Sequence, residues 1–213
     1  MESVRFFDEA ARARVTEAVR LAEARSRGQI VPAVVEKSDP YPEARFRGAL
    51  LGAALATAAV LLLDLPLTLA ELPVAQVAAG LLGGLLAAWD PLERLLVGPR
   101  AMEQAVRSRA LRAFHEHGLQ RTAEGTGVLV FASLLERRAV VLGDHGIHEH
   151  MGDAGWEQAV GVLVEALRAG DPGRGFEQAV ACCGARLAEH FPRLEGAPAP
   201  PNELDDVIRV SRS

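Results

Sequence analysis

Several things are scarce in this sequence. Aromatic residues make up 5% of its 213 residues, lysine occurs once, at Lys37, and cysteine twice, at Cys182 and Cys183. Adjacent cysteines bridge only with strained geometry, which excludes a disulfide framework. They read instead as small apolar residues on a buried helix face in a reducing compartment. A surplus of positive charge is also lacking. The net charge is −5, against the basic face of a nucleic-acid binder. No Gly-x-Ser-x-Gly elbow, P-loop or Gly-x-Gly-x-x-Gly fingerprint occurs, so nucleophilic catalysis and a glycine-cradled nucleotide have no support. The opening MESVRFFDEAARARV has no apolar run. No signal peptide is expected, and any membrane insertion is driven internally.

What is abundant is aliphatic mass: 49% of residues are hydrophobic. Two apolar stretches stand out, Gly48–Leu63 and Val74–Trp89, neither containing Lys, Arg, Asp or Glu. A spanning helix needs about 17–25 residues. Each stretch reaches that length by drawing on its flank, Asp64–Leu69 or Asp90–Val97. Neither has a polar face, and the short linker DLPLTLAELP forces an antiparallel pair. Small residues recur, among them Gly52, Ala56, Gly80, Gly83 and Gly84, and would let two helices approach closely in lipid or self-associate. Arg45 and Arg47 precede the first stretch, Arg94 and Arg100 follow the second, and the linker has no cation. The positive-inside rule places both termini in the cytoplasm and Asp64 and Glu71 at the outer side of the inner membrane.

The flanks read as a soluble α/β domain. Residues 4–27 form an amphipathic helix with Phe7, Ala11, Val15, Val19 and Leu21 on its apolar side. Gln29–Ser38 is a strand whose crowded apolar residues suit cover on both faces, tempered by Pro32. Pro99–Gln120 is a helix with a stripe of Ala101, Ala105, Val106, Ala110, Leu111 and Phe114. Gly127–Leu135 and Arg138–Asp144 are strands expected to pair as an antiparallel hairpin around Glu136 and Arg137. Two helices follow, marked by Trp156, Val160, Leu163, Val164 and Leu167, then by Phe176, Val180, Cys183, Leu187 and Phe191. The expected fold class is thus α/β, a small sheet flanked by helices and interrupted by a two-helix transmembrane hairpin. The parts are residues 1–42, the hairpin 46–98, the second half 99–194, and a linker and tail over 195–213.

The segment GVLVFASLLERRAVVLGDHGI resembles the TPM domain of thylakoid-lumen phosphatase-like and bacterial YgcG-like proteins. The matching features are the apolar strand, the turn of Glu136, Arg137 and Arg138, the second strand, and Asp144-His145-Gly146-Ile147 at its end. Phe7, Glu23 and Gly28-Gln29-Ile30 resemble the N-terminal part. Trp156, Gly175-Phe176, Gly184, Leu187, His190-Phe191-Pro192 and Asn202-Glu203-Leu204 resemble a membrane-anchored bacterial branch. The resemblance implies a sheet flanked by helices, a divalent-cation site such as one for calcium, phosphatase activity in some members, and accessory roles in membrane-protein complexes in others. Many relatives place the domain outside the cytoplasm, whereas the charges here place it inside.

Asp144, His145, His148, Glu149 and His150 cluster after the third strand, at the kind of strand end where α/β proteins build sites. Asp144 and Glu149 offer hard oxygen ligands to a cation, and the histidines suit zinc. A solvated polar loop, capping a helix that starts near Asp153, is the competing reading. Glu136, Arg137 and Arg138 read either as a charged turn or as an anion or partner contact through guanidinium forks. His190 reads as a C-terminal helix cap. The function expected is a membrane-anchored TPM-like module on the cytoplasmic face, binding a partner protein and a divalent cation. The alternatives are a metal-dependent phosphatase and a component of a small transporter or channel.

Overall fold

The computed structural model describes residues 7–122, 125–151, 154–193 and 208–211. The sequence-derived linker over 195–207, Asn202-Glu203-Leu204 and Asp153 lie outside them. The chain divides into two compact units, one of residues 1–39 and 103–213, the other of residues 40–102.

The first unit is built on a four-stranded sheet. Its strands are β1 (Gln29–Val35), β2 (Gly127–Ser133), β3 (Arg138–Gly143) and β4 (Arg209–Ser211), in the order β3-β2-β1-β4. β1 runs parallel to β2 and β4, while β2 and β3 are antiparallel. Side chains alternate across a strand, and both faces of the two central strands are filled. Ile30, Val34, Val128, Val130, Ala132, Ala139 and Val141 face one core. Val31, Ala33, Val35, Leu129 and Phe131 face the other. That double cover explains the unbroken apolar runs. β4 pairs only with Ala33–Val35, so Pro32, which has no amide hydrogen to give, lies beyond that ladder.

Three helices cover the first face: α1 (Glu9–Glu23), α7 (Glu157–Ala169) and α8 (Pro172–His190). One covers the second, α5 (Pro99–Glu116), through Val106, Ala110, Ala113 and Phe114. Asp8 caps α1 by accepting from the Ala11 amide at 2.6 Å, and Asp171 caps α8 by accepting from the Arg174 amide at 3.1 Å. Phe7 meets Phe176 edge-on at 5.7 Å. A Cβ built at Gly184 of α8 would stand 2.4 Å from Ala22 Cβ of α1. Glycine there lets the two helices touch. Phe176, Val180, Cys183 and Leu187 are all buried, as their spacing predicts. Both cysteines are free, and burial pushes the Cys183 thiol far above its ordinary pKa.

The helical stripes differ from expectation in detail. Leu21 is 48% exposed and Ala22 takes its place in the core. At 100° per residue, positions 11, 15, 19 and 22 share a face and 21 does not. Leu111 likewise points outward and Ala113 inward. The β2–β3 loop has four residues, Leu134 to Arg137, not two. Leu134 and Leu135 leave β2 because their amides donate to Val35 and Glu36 carbonyls, at 3.0 and 2.9 Å. Arg137 closes the loop at φ 51.

The second unit contains α2 (Pro42–Leu62), α3 (Glu71–Leu86) and α4 (Asp90–Val97). α2 and α3 form a hairpin in tight backbone contact. A Cβ at Gly52 would come within 2.2 Å of the Ala79 carbonyl oxygen, and one at Gly83 within 2.2 Å of the Gly48 oxygen. Thr57 accepts a hydrogen bond from Gln76 Nε2 at 2.8 Å and donates to the Ala53 carbonyl at 3.1 Å. α2 is long and apolar enough to cross a membrane, and only 6% of its most apolar stretch is buried. α3 reaches that length only together with α4, and the two are bent by 100°. Asp90–Val97 therefore does not prolong the second apolar helix in a straight line. The break has a local cause: Pro91 opens a new helix after an extended Trp89.

Candidate functional site

The residues singled out after β3 occupy a short helix, α6 (His145–Met151), rather than an irregular loop. Asp144 starts it. Its amide donates to the Gly127 carbonyl at 2.8 Å, its Oδ1 accepts from the His145 amide at 2.7 Å, and its carbonyl accepts from the Ile147 amide at 3.0 Å. Ile147 is fully buried and pins the helix to the core. A Cβ at Gly143 would stand 2.9 Å from Ile147 Cγ2 and 3.7 Å from the Trp156 ring, so the strand end, the helix and Trp156 close on one another. Gly125, at φ 64, passes over the helix start, with Asp144 Oδ2 3.7 Å from where its Cβ would be.

This geometry does not gather the acidic and imidazole groups of the described residues into one cluster. Asp144 is half-buried and commits one oxygen to the helix start. His145 and Glu149 form an i, i+4 pair at 3.1 Å, with side chains 83% and 59% exposed. The side chains of His148 and His150 lie outside the described residues. Among the described residues, no group of three or more His, Cys, Asp or Glu side chains stands together as a cation cage. In the segment after β3, Asp144 and the His145–Glu149 pair are what the described side chains offer a cation.

The β2–β3 loop splits the other cluster. Glu136 turns inward and is 6% exposed. Its carboxylate accepts from the Ser38 amide at 2.9 Å and from the Ser133 hydroxyl, tying the loop to the chain beyond β1. Arg137 is exposed, and Arg138 pairs with Glu103 of α5 at 3.5 Å. The inward turn of Glu136 was not apparent from the charged run ERR. The signal that could have found it is Ser133, three residues earlier. A cleft of about 570 Å³ lies between α1 and α8, with an Arg14–Glu177 pair at 3.3 Å on its wall. None of the residues around Asp144 lines it.

A parallel β1–β2 pair, a β2–β3 hairpin and a helix starting at Asp144 accord with the family resemblance. Residues 95–186 match the TPM domain family. Over those residues this chain carries a TPM domain. Its fold also matches a solved structure, the NMR structure of BA42 protein from the psychrophilic bacterium Bizionia argentinensis. The TM-score is 0.60 at 16% identity, covering 97% of this chain and 96% of that one. At that identity the likeness is one of fold. No curated protein matches the sequence. The TPM match begins inside α4 and ends within α8. It thus leaves out β1, the strand on which the sheet is centred.

Proposed function

We propose that this chain is a membrane-anchored TPM module. In this reading the 40–102 unit inserts in the inner membrane as a hairpin, both termini and the TPM domain stand on the cytoplasmic face, and the domain binds a partner protein and a divalent cation. The observation that carries the reading is the surface of the hairpin. Leu55, Leu61, Leu62, Leu81 and Leu85 are between 66% and 82% exposed. Withdrawing such a side chain from water is worth about 1.5–3 kcal/mol, so these five alone represent roughly 8–15 kcal/mol. Lipid supplies that cover without a further protein layer. Orientation follows from Arg45, Arg47, Arg94 and Arg100 at one end and a cation-free linker at the other.

Alkaline carbonate extraction of membranes tests the anchor, and an accessibility reporter placed in the linker at 63–70 tests the orientation. The reading expects a carbonate-resistant protein whose linker is reached only from outside. Extraction into the supernatant would refute the anchor, and a linker reached from the cytoplasm would refute the orientation. The cation is tested by melting the detergent-purified chain with calcium, magnesium or zinc, beside Asp144→Ala. A cation at a hundredfold excess over its dissociation constant raises stability by about 2.7 kcal/mol. A shift that Asp144→Ala removes would support the site and justify a phosphatase assay. If no cation shifts the melt, the domain is left to act through a protein partner.

A further inference from the structure

The short helix α4 has a place in the membrane that the hairpin reading does not itself assign. It turns by 100° from α3. If α3 runs along the bilayer normal, α4 runs along the bilayer plane. Its faces are unequal. Glu93 and Val97 are buried, and the helix packs on α2. Trp89 and Leu95 are 68% and 76% exposed, with half-buried Leu92 and Leu96 between them. At 100° per residue these four apolar positions fall in one arc of about 120°, beside the buried face and away from Asp90 and Arg94. The helix end is also fixed. Arg47 of α2 donates through Nη1 to the Leu96 carbonyl and, at 3.4 Å, to the Val97 carbonyl, two of the acceptors a helix C-terminus leaves without partners.

We propose that α4 lies in the head-group layer of the cytoplasmic leaflet as an interfacial strap whose occupant is an anionic lipid surface. Trp89 and Leu95 rest at the acyl boundary, and Arg45, Arg94 and Arg100 face phosphate. Tryptophan is enriched at that depth because its ring is apolar and its N–H is polar. The three arginines belong to the 40–102 unit and make no ion pair among the described residues. Each cation near an anionic surface adds to the attraction. The strap holds the inner end of α3, whose 16 residues, at about 1.5 Å each, are short for the hydrocarbon layer.

This proposal rests on the membrane reading, and its test separates the two. The full chain is reconstituted in phosphatidylcholine–phosphatidylglycerol vesicles carrying bromine either near the head group or near the chain end. Tryptophan fluorescence is then recorded beside Trp89→Phe. The only other tryptophan, Trp156, is buried in the TPM unit. The expected result is quenching of Trp89 about twofold stronger from the shallow bromine, as for a helix sunk only ~5–10 Å into the boundary. Removing phosphatidylglycerol, or Arg94→Gln with Arg100→Gln, should weaken the shallow quenching. Equal or stronger quenching from the deep bromine would overturn the strap by making α4 part of the span. No quenching in a protein that resists carbonate would overturn it while leaving the anchor intact. Loss of both quenching and carbonate resistance would refute the anchor and the strap together. Quenching indifferent to lipid charge and to both substitutions would overturn the anionic partner.

Discussion

Truncating Glu136 should be costly, because its buried side chain ties the β2–β3 loop to Ser133 and to Ser38 beyond β1. Its carboxylate serves two buried donors, the Ser38 amide at 2.9 Å and the Ser133 hydroxyl. Ser38 and Ser133 are 3% and 0% exposed, so water has little access to either once the acceptor is gone. Each donor left buried without a partner costs about 1–3 kcal/mol, so Glu136→Ala should lose roughly 2–6 kcal/mol. Glu136→Gln keeps one acceptor oxygen and turns an NH2 towards the second donor, so it should lose about half of that. For a unit of this size, 1 kcal/mol moves the melting temperature by about 2–4 °C, which puts Glu136→Ala roughly 4–24 °C below the parent. Trp156, buried in the same unit, reports the transition by fluorescence in detergent. A Glu136→Ala protein melting within about 1 °C of the parent would refute the latch. So would a Gln variant as damaged as the Ala variant.

Other consequences can be checked directly. Gly184→Ala should destabilise the TPM unit by about 1–3 kcal/mol, because its Cβ would stand 2.4 Å from Ala22 Cβ. Ala22→Gly should restore part of the loss, and a double-mutant cycle with no coupling would refute the contact. Maleimide at mildly alkaline pH should modify Cys182 but spare Cys183 until the protein is denatured, since burial holds the Cys183 thiol protonated. Intact mass counts the labels, and equal labelling of both in the native protein would contradict the packing. Gly52→Leu should loosen the α2–α3 hairpin, because the Ala79 carbonyl stands 2.2 Å from the new Cβ, yet leave the Trp156-monitored melt unchanged. Protease resistance of the hairpin in micelles would fall, and unchanged resistance would argue against that packing.

The parts of the fold that were legible in the sequence are those with a strong period. β1 and β2 carry apolar residues on both faces because both faces are covered, and α8 repeats Phe176, Val180, Cys183 and Leu187 at turn spacing. What was not legible depends on single hydrogen bonds. The β2–β3 loop is four residues long because two amides of its first half bond to the carbonyls of Val35 and Glu36 at the end of β1, each 99 positions away in sequence. Glu136 points inward to Ser38, in the same distant stretch. Around Asp144, residue types suggested ligands, but the helix start uses one carboxylate oxygen locally and directs His145 and Glu149 to each other. The bend at Asp90-Pro91 did have a local signal, a proline at the first helical turn. A continuous hydropathy reading passes over it.

The α/β unit is divided in sequence but not in structure, and this has a consequence for fragments. β1 pairs residue for residue with β2, Gln29 with Gly127 through Val35 with Ser133, and on its other edge with β4. A parallel pair always needs a crossover. Here the crossover contains the whole 40–102 unit and then α5, so the sheet cannot close until the chain has completed that excursion. The family match lies entirely after β1. A fragment of residues 99–213 would nonetheless lack Phe7, Val15, Val19, Ile30 and Val34, all at most 2% exposed in the intact core. At about 1.5–3 kcal/mol each they amount to roughly 8–15 kcal/mol. That equals the entire stability of an ordinary domain, about 5–15 kcal/mol. The fragment should therefore show no cooperative melt and should expose Trp156 to aqueous quenchers. Residues 1–41 supplied in trans should restore both, by returning the central strand and α1 together. A 99–213 fragment that melts cooperatively near the full chain's temperature would show instead that β2, β3 and the two C-terminal helices are sufficient, and that β1 only docks on a core already formed.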